Sequence, residues 1–238
     1  MYHNSNRDNV GVVILSRYSS NRLPGKALIK IKEKEVLKYI IERLEKVFKK
    51  EFIVIATSTE ASDDVIEEFS KKENIDCYRG SLNDVASRFY KAAYNKGWKY
   101  AIRVCGDNIF VNIETLNSML GILNKKHYDF ISNVKNRTFP IGMSIEIVRL
   151  EYFGSLLKKI KKSKRYKEHV TLYLYEKEKP GNHYFYYNKK VPEAAGMILS
   201  LDTAEDLERT RKIINQFTEP HWKYNLKEIF EIWKKIKY

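Results

Sequence analysis

The chain has 238 residues and a mass of 28.2 kDa, enough to bury a sizeable core without disulfide staples. With 43% hydrophobic and 31% charged residues, 10 Gly and 5 Pro, it is not a disordered, collagen-like or low-complexity chain. Lys and Arg number 44 against 30 Asp and Glu, and the net charge of +14 favours anionic partners such as nucleotides, phosphorylated metabolites or nucleic acid. Much of that excess sits in lysine-rich stretches such as residues 158–167, which also read as plain solvated surface.

The longest apolar runs, 11–15 and 52–56, fall far short of the roughly 20 residues a membrane helix needs. The polar start over residues 1–8 lacks the pattern of a secretory signal, so a cytoplasmic protein is expected. Cys77 and Cys105 lie 28 positions apart with no CxxC spacing, and both read as small core residues.

In chain order, 11–15 reads as a buried strand and 34–49 as a helix with Val36, Tyr39, Ile40, Leu44, Val47 and Phe48 at helical spacing. A strand at 52–56, a helix at 63–73, a strand at 76–79, a helix at 83–95 and a strand at 100–104 follow, and Asn112 reads as the next helix N-cap. Strands alternating with helices imply βαβ units around a mainly parallel sheet, an α/β fold. Ligands in such sheets bind beyond the carboxyl ends of the strands, here residues 16–26, 57–59, 80–84 and 106–108.

After a strand at 129–132 the rhythm changes. Strands at 144–148 and 184–187 and helices at 150–160 and 169–177 suggest an insertion over 133–190 within a single domain spanning 1–238, suited to acceptor binding or a subunit contact. A late strand at 198–201, a helix at 204–215 capped by Thr203 or Asp202, and a helix at 225–235 close the chain.

The first loop, residues 16–26, carries three cations, Arg17, Arg22 and Lys26, among several hydroxyls. Arginine clamps phosphate oxygens bidentately, lysine acts as a mobile point charge and loop N–H groups cradle oxyanions. An ordinary charged βα loop has the same composition. It is not a Walker A loop: Ala27 stands where Ser or Thr would hold Mg²⁺, and the earlier glycine is missing.

The segment LSRYSSNRLPGK at 15–26 closely resembles the signature of cytidylyltransferases, among them CMP-Kdo synthetases, acylneuraminate cytidylyltransferases and, nearest in pattern, spore-coat polysaccharide biosynthesis proteins. ATST at 56–59, RGSLNDV at 79–85, IRVCGD at 102–107, EHVT at 168–171 and LDTAEDL at 201–207 resemble later family segments in the same order, covering roughly residues 10–215. The resemblance implies a Rossmann-like nucleotidyltransferase fold and Mg²⁺-dependent transfer of CMP from CTP to a small-molecule acceptor, with a homodimer expected. It implies that Ser16, Arg17, Ser20, Arg22 and Lys26 bind the triphosphate, with Arg17, Lys26 and Asp107 catalytic. Gly80, Ser81, Asn83 and Asp84 match the segment near the base, although Asn83 reads equally as a helix N-cap.

Asp107 and Asp202 each follow a predicted strand, so both carboxylates can meet at one sheet edge, and Mg²⁺ typically takes one or two carboxylates plus phosphates and waters. The resemblance gives both a metal role; from spacing alone Asp202 reads as a helix cap in a capping box. Glu146 and His169 match segments linked to the acceptor. Three departures stand out: Ser144 replaces the usual acid in PIGMSIE at 140–146, GDNI at 106–109 lacks the usual proline, and Ser16 replaces alanine. They imply an unusual acceptor or weakened activity. Competing expectations are a nucleotide-sugar glycosyltransferase, which usually needs an Asp-x-Asp pair that is absent, and a basic nucleic-acid-binding protein, for which no binding module is present.

Overall fold

In a computed structural model, residues 9–20, 22–177 and 181–236 are described. The polar stretch 1–8 and Asn21 of the first motif lie outside them.

A seven-stranded sheet organises the chain. β1 (Val10–Leu15) lies between β4 (Ile53–Ser58) and β6 (Tyr100–Cys105), parallel to both, and β5 (Asp76–Gly80) extends the sheet beyond β4. On the other side β8 (Glu146–Arg149) runs antiparallel to β6 and to β7 (Phe130–Ser132), and β9 (His183–Phe185) closes the edge parallel to β7. Two strands from 133–190 thus belong to the main sheet, one of them beside β6. A hairpin of β2 (Lys30–Ile31) and β3 (Lys34–Glu35) stands apart.

The alternation in β1 feeds two cores. Val12 and Ile14 pack with α1 (Val36–Leu44) and α4 (Ile113–Lys125), while Val13 packs with α3 (Val85–Tyr94) and α5 (Leu150–Ile160) on the opposite face. In the second core Phe89 meets Phe153 edge to face at 5.7 Å. Arg43, fully buried on α1, donates to the carbonyls of Val111, His221 and Tyr224, tying the helix to two distant segments. Helices α2 (Asp64–Glu73), α8 (Ala204–Asn215) and α9 (Leu226–Ile236) complete the layers. Among the described residues no helix is long and apolar enough to cross a membrane.

Several sequence expectations need correction. The predicted helix over 34–49 is α1 alone, because Lys32 and Glu33 take positive φ values of 47° and 61° and turn Lys34 and Glu35 into the hairpin. The chain beyond Leu44 continues only as turns, with Val47 and Phe48 both donating to the Leu44 carbonyl. The helix over 169–177 is instead α6 (Lys164–Glu168) and α7 (Leu172–Glu176), broken at His169, whose φ and ψ are −95° and 73°. The late strand at 198–201 is a single bridge between Ile141 and Ile198. Gly142, at φ 98°, turns the partner segment away after one residue, so no ladder extends. The cysteines are half-buried rather than core residues.

Asp84, not Asn83, caps α3, its side chain accepting from the Ser87 N–H at 3.0 Å. Asn112 caps α4 as predicted. Thr203 caps α8 in a capping box with Asp206, which leaves the Asp202 side chain free of that duty.

Candidate active site

Four chain segments meet at the carboxyl edge of the parallel strands. The 16–26 loop leaves β1 under tight control: the Ser16 N–H donates to the Ala56 carbonyl at 3.2 Å and the Gly106 N–H to the Leu15 carbonyl at 2.8 Å. A Cβ on Gly106 would lie 2.7 Å from Ser16 Oγ, so only glycine lets the two strand ends approach this closely. The loop closes on itself where the Gly25 N–H donates to the Tyr18 carbonyl at 3.0 Å, with Gly25 at φ 69°.

Buried Asp63, just before α2, anchors the loop from beneath. Its carboxylate accepts from the Tyr18 N–H at 2.7 Å, the Ser58 N–H at 2.9 Å and Ser58 Oγ at 2.5 Å. Burial alone would raise its pKa, but these donors outweigh it and hold the carboxyl below the ordinary 3.8. Its stabilising effect is therefore present above that value and lost as pH falls through the folded pKa. Asp63→Asn is expected to be less stable by roughly 1–3 kcal/mol at neutral pH. Urea denaturation of both proteins from pH 7 down to about pH 3 should show the gap closing with acid; a gap independent of pH would refute the role.

Lys26 reaches across the edge. Its Nζ lies 3.0 Å from Asp107 Oδ2 and 2.7 Å from Asp202 Oδ1, and Arg22 approaches the same Asp202 oxygen at 3.3 Å. The Leu201 N–H donates to the Asp107 carbonyl at 3.2 Å, so a backbone bond places the two aspartates side by side although 95 residues separate them. Burial would lower the Lys26 pKa, but both carboxylates outweigh it and hold it above its ordinary value. The Asp202 pKa is held down, its burial offset by Lys26 and Arg22.

These groups line a cleft of about 600 Å³, within the range of small-molecule sites. It is lined by Ser16, Arg17, Ser20, Arg22 and Lys26 from the first loop and by Asp107, Asp202 and Glu168. Arg103 and Cys105 of β6 and Arg88 of α3 also line it. Burial pushes the Cys105 thiol up to about 11, so it is neutral at physiological pH.

Not every residue singled out from the sequence meets this cleft. Ser81 and Asn83 are exposed and outside its lining, and Ser81 Oγ instead accepts from the Asp84 N–H at 3.0 Å. Glu146 is 2% exposed and committed to protein partners: one carboxylate oxygen accepts from Arg103, the other from Thr171 at 2.8 Å and Tyr175 at 2.5 Å. It reaches the cleft only through Arg103. His169 is exposed beside Glu168 and is not part of the lining. The sequence reading does not single out Asp63, Arg88 or Arg103. A signal existed for Arg88: it falls on the apolar stripe of its helix, three residues after Val85 and beside Phe89. Two of the sequence departures are neighbours, since Asn108, buried beside Asp107, donates to the Ser144 carbonyl at 3.1 Å.

The donor set suits a hard divalent cation. The Lys26 ammonium already bridges Asp107 and Asp202, so the two carboxylates point at one cationic position. Among the described residues there is no cluster of three or more His, Cys, Asp or Glu able to hold a metal.

A mainly parallel sheet whose carboxyl edge opposes a cationic loop to paired aspartates defines the nucleotidyltransferase class of Rossmann-like folds. Within that class the chain belongs to the cytidylyltransferase family, which it matches over residues 11–236. It is similar to the spore coat polysaccharide biosynthesis protein SpsF of Bacillus subtilis, 29% identical over 223 residues and covering 87% of each chain. It is also similar to an uncharacterized protein of Methanocaldococcus jannaschii, 29% identical over 194 residues, covering 82% of this chain and 78% of the relative. A cytidylyltransferase structure from Leptospira borgpetersenii superposes with a TM-score of 0.86 at 29% identity, covering 96% of this chain and 95% of the other.

Proposed function

We propose that the protein transfers CMP from CTP to a small-molecule acceptor, releasing pyrophosphate, in the making of surface polysaccharide or glycoconjugate precursors. One observation carries this reading: Arg17, Arg22 and Lys26 share a single cleft with Asp107 and Asp202, with Lys26 already seated between the acids. A polyphosphate needs cations along its length, and a metal-binding nucleotide needs carboxylates at one end of them. The polysaccharide role of the Bacillus subtilis relative supports the setting.

An acceptor oxygen attacks the α-phosphorus of CTP, forming the new P–O bond as the bond to the bridging oxygen breaks. Pyrophosphate leaves with that electron pair, and the acceptor proton passes to solvent. Lys26, Arg17 and Arg22 neutralise charge on the α-phosphate and the leaving group, and Ser16 and Ser20 offer hydroxyls to phosphate oxygens. Asp107 and Asp202 would hold Mg²⁺, which supplies further charge neutralisation when bound. The acceptor is a sugar acid such as a nonulosonic acid, or a phosphorylated small molecule. The protein works in the cytoplasm as a homodimer, with 133–190 forming the acceptor and subunit-contact segment.

Purified protein with Mg²⁺, each nucleoside triphosphate and a panel of sugar acids and phosphorylated acceptors should release pyrophosphate with CTP. Absence of both CTP binding and CTP-dependent release with every acceptor would overturn the reading.

A further inference from the structure

Of the five cations lining the cleft, three already have carboxylate partners: Lys26 with both aspartates, Arg22 with Asp202 and Arg103 with Glu146. Arg88 does not. It is 2% exposed, and among the described residues no carboxylate lies within ion-pairing distance of it. One of its N–H groups donates to the Ser81 carbonyl at 2.8 Å, and its Nε is buried without a partner.

The charges that act on Arg88 are Arg17, which repels it, and Asp63, which attracts it while already accepting from Tyr18 and Ser58. Burial lowers the Arg88 pKa to about 10, still far above neutrality, so it carries its charge into the cleft. The approach is built in. A Cβ on Gly80 would sit 3.1 Å from Arg88 Cγ, so the glycine makes room for the arginine stem. A buried guanidinium without a counter-ion destabilises the fold unless a ligand supplies the charge.

We infer that Arg88 is a substrate-binding residue that, with Arg17, takes a phosphate of the bound nucleotide in the fork of its free N–H groups. The geometry joins two tasks in one side chain. While one N–H holds the loop after β5 through Ser81, the others meet the phosphate, so the seating of the polyphosphate fixes the loop that follows Gly80. Lysine would supply the charge without the planar fork. The inference rests on the nucleotidyltransferase reading for its ligand, but its test does not need turnover.

Calorimetric titration of the wild type, Arg88→Gln and Arg88→Lys with CTP, tripolyphosphate and cytidine separates phosphate from base. Loss of one charge-assisted contact should weaken CTP and tripolyphosphate in Arg88→Gln by about 10- to 100-fold, leave cytidine within about 3-fold, and be partly restored in Arg88→Lys. Unchanged tripolyphosphate affinity in Arg88→Gln, or equal losses for all three ligands in both variants, would overturn the inference. If Arg88→Gln does not fold, Arg88→Lys decides: tripolyphosphate affinity weakened by about 3- to 10-fold or more with cytidine unchanged upholds the inference, and unchanged tripolyphosphate affinity overturns it. A wild type that binds tripolyphosphate but shows no preference for CTP and no pyrophosphate release would sink the proposed function and leave Arg88 as an anion site.

Discussion

Asp107→Ala is expected to lower CTP-dependent pyrophosphate release by at least about 10³-fold, corresponding to roughly 4 kcal/mol of transition-state stabilisation, while leaving the fold in place. The fold survives because the position holds the structure through its backbone: the Asp107 carbonyl that accepts from Leu201 remains in alanine. Lys26 also keeps Asp202 at 2.7 Å, so no buried cation is orphaned. The lost ion pair is partly solvated, and such pairs contribute about 1 kcal/mol or less. Activity falls because one of the two carboxylates that Lys26 bridges is gone. Pyrophosphate release measured beside a urea denaturation curve checks both halves, and turnover within about 10-fold of wild type at unchanged stability would remove Asp107 from the metal role.

Gly142→Ala should act the other way round, through stability first. Its φ of 98° strains any side chain, and a Cβ there would lie 2.2 Å from the Ser200 N and 2.4 Å from the Leu199 carbonyl carbon. Both obstacles are backbone, so the 197–201 segment must move. That segment is held by the Ile141 N–H to the Met197 carbonyl at 2.9 Å and the Leu199 N–H to the Ile141 carbonyl at 2.7 Å, and it ends at Asp202. We expect a loss of roughly 3–5 kcal/mol in urea denaturation and, in whatever remains folded, weakened turnover because Asp202 no longer faces Asp107. An unchanged denaturation midpoint would show that the contact yields more easily than the geometry implies.

The regular elements were legible where local chemistry is decisive. β1, β4, β5 and β6 begin and end within one or two residues of their apolar runs, and the helices at 150–160 and 204–215 match their periodic segments. The misreadings share a cause. Residues 198–201 look like a strand because they are apolar, but a strand needs a partner, and Gly142 removes it. At 34–35 and 169 the helical pattern continues through residues whose backbone turns elsewhere, Lys32 and Glu33 having none of the glycine or asparagine that usually marks such a turn.

The linear order of residues determined the alternation of strands and helices, and with it the edge at which a ligand site forms. It also determined which loop carries the cations and that Asp107 follows a strand, because side-chain type and spacing are local properties. Which groups meet was decided only by the folded chain. The Leu201-to-Asp107 backbone bond sets Asp202 beside Asp107, Glu146 turns inward to Arg103, and Arg88 lies buried at the cleft without a carboxylate. The first two of those contacts join residues 94 and 43 positions apart, and a side chain's charge alone does not tell whether its partner is water, an acid or a ligand.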